Sequence, residues 1–308
     1  MAFTAKDVKT LREMTGVGMM DCKKALTASD GDMDKAVEWL REKGMAASAK
    51  KAGRIAAEGM AYAVVIDGVG VAVEVNAETD FVGKNEKFVD FVKGVAATVA
   101  KENPADLDAL MNCKYNGTDN TVTQQQQEMV LVIGENIKVR RFARFEGGTC
   151  VSYVHAGGKI GVLVKLDTDL SADKVEAAGK DVAMQIAALN PRFWDKAQVS
   201  DDVLAEEKKI MLAQMDNDPK MAGKPDNVKE KIVMGKMNKF YSENCLMQQA
   251  FVRSDVFEGS VEQYLASAAK SAGGKIAFLD AVRFEKGEGI EKKEENFAAE
   301  IASLVKGS

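Results

Sequence analysis

Gly70-Val-Ala-Val-Glu-Val-Asn76 and Gly161-Val-Leu-Val-Lys-Leu-Asp167 share one pattern. Each alternates larger apolar side chains with smaller or polar ones, the period-2 signature of a strand. Each follows another alternating run across a glycine turn: Met60 to Ile66 before Asp67-Gly68, and Thr149 to His155 before Gly157-Gly158. Asp67-Gly68 between alternating runs is a strong hairpin signal. After each copy comes an acid-Thr-acid run and then a helical pattern, near Asn85 to Lys101 in the first and Ala172 to Leu189 in the second. We read this as a degenerate internal repeat of an α+β unit, which restricts the chain to an α+β fold with a two-part core. The copies differ at one place. The first carries two extra residues and Phe81, in Glu78-Thr79-Asp80-Phe81-Val82; the second, Asp167-Thr168-Asp169-Leu170, is plain capping chemistry. By pattern alone Thr79 or Asp80 caps a helix and Phe81 joins the core. The second copy weakens that reading, because it caps without an aromatic.

Three short helical stripes precede the repeat. Val8, Leu11 and Thr15 line the first, with Thr4 as N-cap. Met19, Cys22 and Leu26 line the second, and Met33, Ala36, Val37 and Leu40 the third, which Gly44 ends as a C′ glycine. Met19 and Met20 read as core, although methionine also suits protein-binding surfaces. Asp30, Asp32 and Asp34 imitate the start of a calcium loop, but Lys35 and Arg41 stand where it needs glycine and a bidentate acid, so they cap the third helix instead. Thr121 caps a helix running to Ile133, and Ile137 to Phe145 reads as a strand opening the second unit. Two helices, Ser200 to Gln214 and Asp226 to Glu243, flank a Pro/Gly tip and make an antiparallel hairpin that projects from the core. A helix from Val261 to Ala272, a strand from Ile276 to Phe284 and an amphipathic helix from Glu294 to Lys306 complete the chain. The expected divisions are a helical domain with its linker (1–55), a first core subdomain (56–136), a second (137–199 and 245–286), the hairpin (200–244) and a C-terminal module (287–308).

Composition narrows the function. A net charge of −5 argues against a general nucleic-acid binder. No apolar run reaches the roughly 20 residues that span a bilayer, and no secretory or transit pattern opens the chain, so a cytoplasmic location with no membrane contact is expected. Cys22, Cys113, Cys150 and Cys245 form no CxxC pair, and His155 is the single histidine. Reduced packed thiols, no metal cluster and no cofactor follow. No phosphate-binding loop, dinucleotide fingerprint or GxSxG occurs. Paired acids such as Glu78 and Asp80 are too common to imply acid–base work. An enzyme is therefore the weaker class.

The chain closely resembles the bacterial translation elongation factor Ts family over essentially its full length. The matching runs are Gly18-Met-Met-Asp-Cys-Lys-Lys-Ala-Leu26, Thr79-Asp-Phe-Val82, Gly134-Glu-Asn-Ile137 with Arg140-Arg-Phe142, Lys159-Ile-Gly-Val-Leu-Val164, Lys239-Phe-Tyr241 with Glu243 and Cys245-Leu246, and Arg283-Phe-Glu-x-Gly-Glu-Gly289. The resemblance implies a ubiquitin-associated-like (UBA-like) three-helix bundle, the two-part α+β core, a protruding coiled-coil hairpin and a C-terminal helical module. It implies a guanine nucleotide exchange factor that binds the GTPase elongation factor Tu, GDP-bound and nucleotide-free, and acts by binding without covalent chemistry. Thr79, Asp80, Phe81 and Val82 match the stretch that dislocates the partner's Mg²⁺. Met19, Met20 and Lys23 match its N-terminal contact surface, Ile133 and Gly134 a contact near its phosphate-binding loop, and His155 a contact on the second core half. Gly83 stands where alanine is common, which would loosen the turn after Phe81. Members differ in whether they form a homodimer through the hairpin. A different class of reading, a UBA-type adaptor or chaperone-like scaffold without exchange activity, would bind a partner equally with and without nucleotide.

Overall fold

The computed structural model describes residues 3–221 and 223–291. The helix expected from Glu294 to Lys306 lies outside the described residues, as does most of the 287–308 module.

The N-terminal stripes form α1 (Ala5–Thr15), α2 (Met19–Ala28) and α3 (Met33–Lys51). Thr4 and Asp7 make a capping box on α1, and Asp32 accepts from the Asp34 and Lys35 N–H groups to cap α3. Both occupy donors that a helix start leaves free. Val8, Leu11, Cys22, Leu26, Ala36 and Leu40 close the bundle core. Two expectations fail here. Met19 does not join Cys22 and Leu26: the buried face of α2 is Cys22, Ala25 and Leu26, while Met19 and Met20 are 50% and 65% exposed in its first turn. Gly44 does not end α3, which continues for almost two more turns. It lies where α3 meets α6 (Val122–Ile133), and a Cβ there would stand 3.2 Å from the Gln127 carbonyl oxygen. Glycine is needed for helix approach, not for a C-cap. Leu131 and Val132 of α6 pack on the bundle core, and Arg41 donates to Asn120 at 2.9 Å, so the bundle is docked on the rest of the chain. Gly44→Val is expected to cost about 1–3 kcal/mol by overpacking this crossing, read as a lower urea midpoint.

The first hairpin is β1 (Glu58–Ile66) and β2 (Val69–Ala77), joined through Asp67 (φ 50°) and Gly68 (φ 80°). Positive φ at both central residues is the turn geometry that matches strand twist. α4 (Glu86–Glu102), capped by Asn85, follows, then the short α5 (Leu107–Asn112) and α6, capped by Thr121 and Gln124. β3 (Lys138–Phe145) then returns antiparallel to β2, giving the order β1-β2-β3. The second sheet is β4 (Thr149–His155), β5 (Ile160–Thr168) and β6 (Ile276–Glu285), in the order β4-β5-β6. Between β5 and β6 lie α7 (Ala172–Leu189), α8 (Asp201–Asp216), α9 (Asp226–Asn244) and α10 (Val261–Ala272). α8 and α9 pack together around Met215, Val233, Met237 and Phe240.

The strand at 137–145 therefore does not open the second unit. It is the third strand of the first, and the expected division at 137 does not coincide with the division between the sheets. The repeat is longer than its sequence signal. Each copy is a hairpin, a helix on its face, then a later helix ending in a left-handed glycine, Gly134 or Gly273, that leads into the third strand. α8 and α9 occupy the place that α5 has in the first copy. Even the register irregularity recurs, at Glu74/Val75 in β2 and at Lys165/Leu166 in β5.

Alternation sorts the side chains into layers. Val71, Val73 and Val75 pack against Phe88, Phe91, Val95 and Val130 of α4 and α6. Val162, Val164 and Leu166 pack against Val175, Val182, Ile186 and Leu265 of α7 and α10. The opposite faces meet through Ala61, Ala63, Ala72, Cys150, Leu163 and Phe284. The order is helices, sheet, sheet, helices, and small residues let β1 come close enough for the Ala61 N–H to donate to the Gly158 carbonyl at 2.8 Å. A central strand covered on both faces is buried along its length, as β2 is from Gly70 to Ala77.

One charge sits between these layers. Glu74 is wholly buried and accepts from Arg140 (2.9 Å), Arg141 (2.6 Å), Asn76 (3.0 Å) and the Gly287 N–H (2.8 Å). Burial pushes its carboxyl up, but the Gly287 N–H, Arg140, Asn76 and Arg141 outweigh burial and hold it below the ordinary glutamate value. Arg141 also stacks on Phe284 and bonds Glu288, so Glu74 ties the Gly287–Gly289 bend to the first sheet.

Candidate functional site

The site is built on the turn between β2 and α4. Glu78 leaves the strand, and residues 79–84 separate it from the cap Asn85. In the second copy Leu170 alone separates the corresponding Asp169 from Ser171 ahead of α7. The difference is five residues, not the two expected, and Phe81 lies inside the addition. Phe81 is 79% exposed, so the pattern-based expectation that it joins the core is wrong. Neither Thr79 nor Asp80 caps α4; Asn85 does, by accepting from the Lys87 N–H at 3.0 Å. Asp80 is exposed and lies 3.9 Å from Lys84, an ion pair too open to water to hold the turn.

Other contacts hold it. Val82 is buried in the first core. Gly83 is buried against the Gly59 carbonyl oxygen, 2.7 Å from where a Cβ would stand. Glycine here permits a tight seat, opposite to the expected loosening. On the other side, the Glu135 carboxylate accepts from the Glu78 N–H (3.0 Å), the Thr79 N–H (3.0 Å) and the Thr79 hydroxyl (2.7 Å). Glu78 in return accepts from the Asn136 N–H at 2.6 Å, and Arg54 donates to it at 3.3 Å. The Asn136 side chain donates to the Arg54 carbonyl at 2.8 Å. The turn bearing Asp80 and Phe81 and the end of α6 bearing Ile133 and Gly134 are thus laced together.

A cleft of about 410 Å³ runs beside this turn, lined by Phe81, Val82, Val132, Ile133, Lys87 and the Gly16–Gly18 link of the bundle. The Lys87 ammonium donates to the Gly16 carbonyl at 3.2 Å and closes one end. The structure so brings Phe81, Val82 and Ile133 together beside the start of α2. Gly134 is the exposed left-handed cap that follows Ile133 (φ 88°). Met20 and Lys23 line a separate shallow depression on α2 with Lys24, Thr27 and Ala28. His155 is exposed at the end of β4, its Nδ1 2.9 Å from the Tyr153 hydroxyl, and does not line the cleft. Sequence reasoning missed Glu135, Asn136, Glu78 and Arg54 as residues that hold the site. A signal was present: Gly134-Glu-Asn-Ile137 aligns with Gly273-Gly-Lys-Ile276 once the helix and third strand are counted into the repeat.

Among the described residues no group of histidine, cysteine and acid side chains could hold a metal ion, and no helix is long and apolar enough to cross a membrane. Phe81 is thus a large exposed apolar side chain on a turn held from both sides.

A family model described as Elongation factor TS matches residues 78–288. The chain belongs to the elongation factor Ts family. Proteins named Elongation factor Ts from Magnetococcus marinus, Clostridium perfringens and Trichlorobacter lovleyi are 45%, 49% and 48% identical to it, over 100%, 98% and 99% of both chains. Membership of the elongation factor Ts family gives the chain a role in translation elongation. The span matched to the family begins at Glu78, the acid that bonds Asn136, and ends at Glu288, whose carbonyl and carboxylate are bound by Arg140 and Arg141.

Proposed function

We propose that this chain is a guanine nucleotide exchange factor for elongation factor Tu, and that the stretch from Thr79 to Val82, anchored in the core by Val82, presses Phe81 against the partner's G domain. The observation that carries this reading is Phe81, a large aromatic 79% exposed on a turn anchored at both sides. A wholly buried phenylalanine is worth about 1.5–3 kcal/mol relative to an exposed one. That gain is available only when a partner covers Phe81, so binding energy can drive displacement of partner side chains. Asp80 arrives beside it as a carboxylate. In this reading the displaced partner elements are those that support its Mg²⁺, the charge that neutralises the β-phosphate of GDP. Met19, Met20, Lys23, Ile133, Gly134 and His155 supply the surrounding contacts. The coupling is reciprocal: by whatever factor this chain weakens GDP binding, GDP weakens binding of this chain. Excess GTP then releases it.

Catalytic amounts of the protein are expected to accelerate release of a fluorescent GDP analogue from elongation factor Tu. Equal binding with and without nucleotide and no acceleration would replace this reading with that of a scaffold.

A further inference from the structure

We propose that Glu135 is the positioning residue of this exchange surface: it holds the Thr79 backbone so that Phe81 meets the partner already aimed. The proposal rests on the exchange reading above and names what makes that surface rigid.

The internal repeat separates what the fold requires from what this turn adds. One pin is common to both copies. Glu78 accepts from the Asn136 N–H at 2.6 Å, and the corresponding Asp169 accepts from the Lys275 N–H at 2.7 Å. In each case the acid after the middle strand holds the chain just before the third strand, and this pin serves the fold. The second pin exists only in the first copy. Glu135 accepts from two successive backbone N–H groups and from the Thr79 hydroxyl. Its counterpart is Gly274, which has no side chain to make such a pin, and a Cβ there would have to displace the Asp169 carboxylate and the Leu170 side chain. The copy with Gly274 runs directly into its helix cap; the copy with Glu135 carries the added residues and the exposed aromatic.

The placement fits that role. Val82 in the core and Gly83 against Gly59 fix the turn after Phe81. Glu135 fixes it at Glu78 and Thr79, before Asp80 and Phe81. Without Glu135 the exposed segment is held at its far end and by Glu78 alone. A side chain ordered before encounter loses less conformational freedom on binding, and the saving appears in the bound, displaced state. Glu135 also joins this turn to the loop after Ile133 and Gly134, so the two parts of the surface move as one.

The test uses the full chain and three variants. In Glu135→Ala, amide hydrogen exchange is expected to rise at Glu78 and Thr79 while the two cores stay protected. The maximal rate of GDP-analogue release at saturating factor is expected to fall about five- to tenfold, the scale of losing charge-assisted hydrogen bonds. The half-saturating concentration should change less than about twofold, because the other contacts remain. Glu135→Gln should restore most of the rate: its carbonyl can accept both N–H groups and its amide can donate to the Thr79 oxygen. Loosened amides with an undiminished rate would overturn the proposal, as would failure of Glu135→Gln to exceed Glu135→Ala. Should Glu135→Ala unfold more widely, Thr79→Val, which removes only the 2.7 Å bond, must still lower the rate, and an unchanged rate would overturn the proposal. Phe81→Ala is run alongside. If it too leaves release intact, the exchange surface itself is misassigned; if it abolishes release while Glu135→Ala does not, only the positioning role is lost.

Discussion

Replacing Phe81 by alanine is expected to lower acceleration of GDP release from elongation factor Tu by roughly 30-fold while leaving the melting temperature of the free protein unchanged. The two halves of that expectation have separate causes. The side chain is 79% exposed, so its removal takes little from the folded chain beyond what the unfolded chain also loses. In the complex the same ring would be covered, and losing about 2 kcal/mol of apolar burial corresponds to roughly 30-fold. Aromatic side chains at the centre of an interface commonly carry this much. The measurement is stopped-flow release of a fluorescent GDP analogue beside a thermal melt. A melting point that falls with release little changed would return Phe81 to a structural role.

Glu74→Ala is expected to lower stability by about 2–3 kcal/mol. Removing one partner of a buried ion pair costs about 3–5 kcal/mol because the remaining charge is left uncompensated. Here the Arg140 and Arg141 side chains keep 26% and 32% of their exposure, so water recovers part of that cost. Urea unfolding of the two proteins checks the difference. The pH dependence has a definite sign. The folded-state pKa of Glu74 lies below its ordinary value, so its contribution is complete above the unfolded carboxyl pKa of about 4.3 and disappears as pH falls through the folded value. The stability gap between wild type and Glu74→Gln should therefore hold from pH 7 to about pH 5 and close in stronger acid. A gap that widened on acidification would contradict the ionised, paired state. Glu74→Ala should also loosen the Gly287–Gly289 bend, since the Gly287 N–H loses its acceptor.

Local chemistry was readable. Thr121, read as the cap of α6, makes a capping box with Gln124 that covers four residues, and the Asp67-Gly68 turn spans two. Such features depend on neighbours, so residue types at fixed spacing are enough to place them. The failures share a different cause. Gly44 reads as a helix stop until α6 is seen against it, and Met19 reads as core because its spacing from Cys22 is right. The strand at 138–145 follows α6 and precedes β4, and its order along the chain does not say which of two sheets it joins. The Glu135 contacts span 56 and 57 residues and leave no periodic trace.

What the sequence determined by itself is the repeated hairpin-and-helix unit, the helical stripes and, through the family runs, the kind of protein this is. Those rest on short-range periodicity, turn stereochemistry and residue identity, all of which are written along the chain. What only the tertiary structure decided is that Phe81 faces water, that Gly83 tightens its turn, that Glu74 is a buried anion between two sheets and that Glu135 holds the exposed segment. Burial, close approach and pairing of distant polar groups are properties of the space between elements. They are settled when the layers pack, because only then does each side chain acquire the neighbours that set its energy.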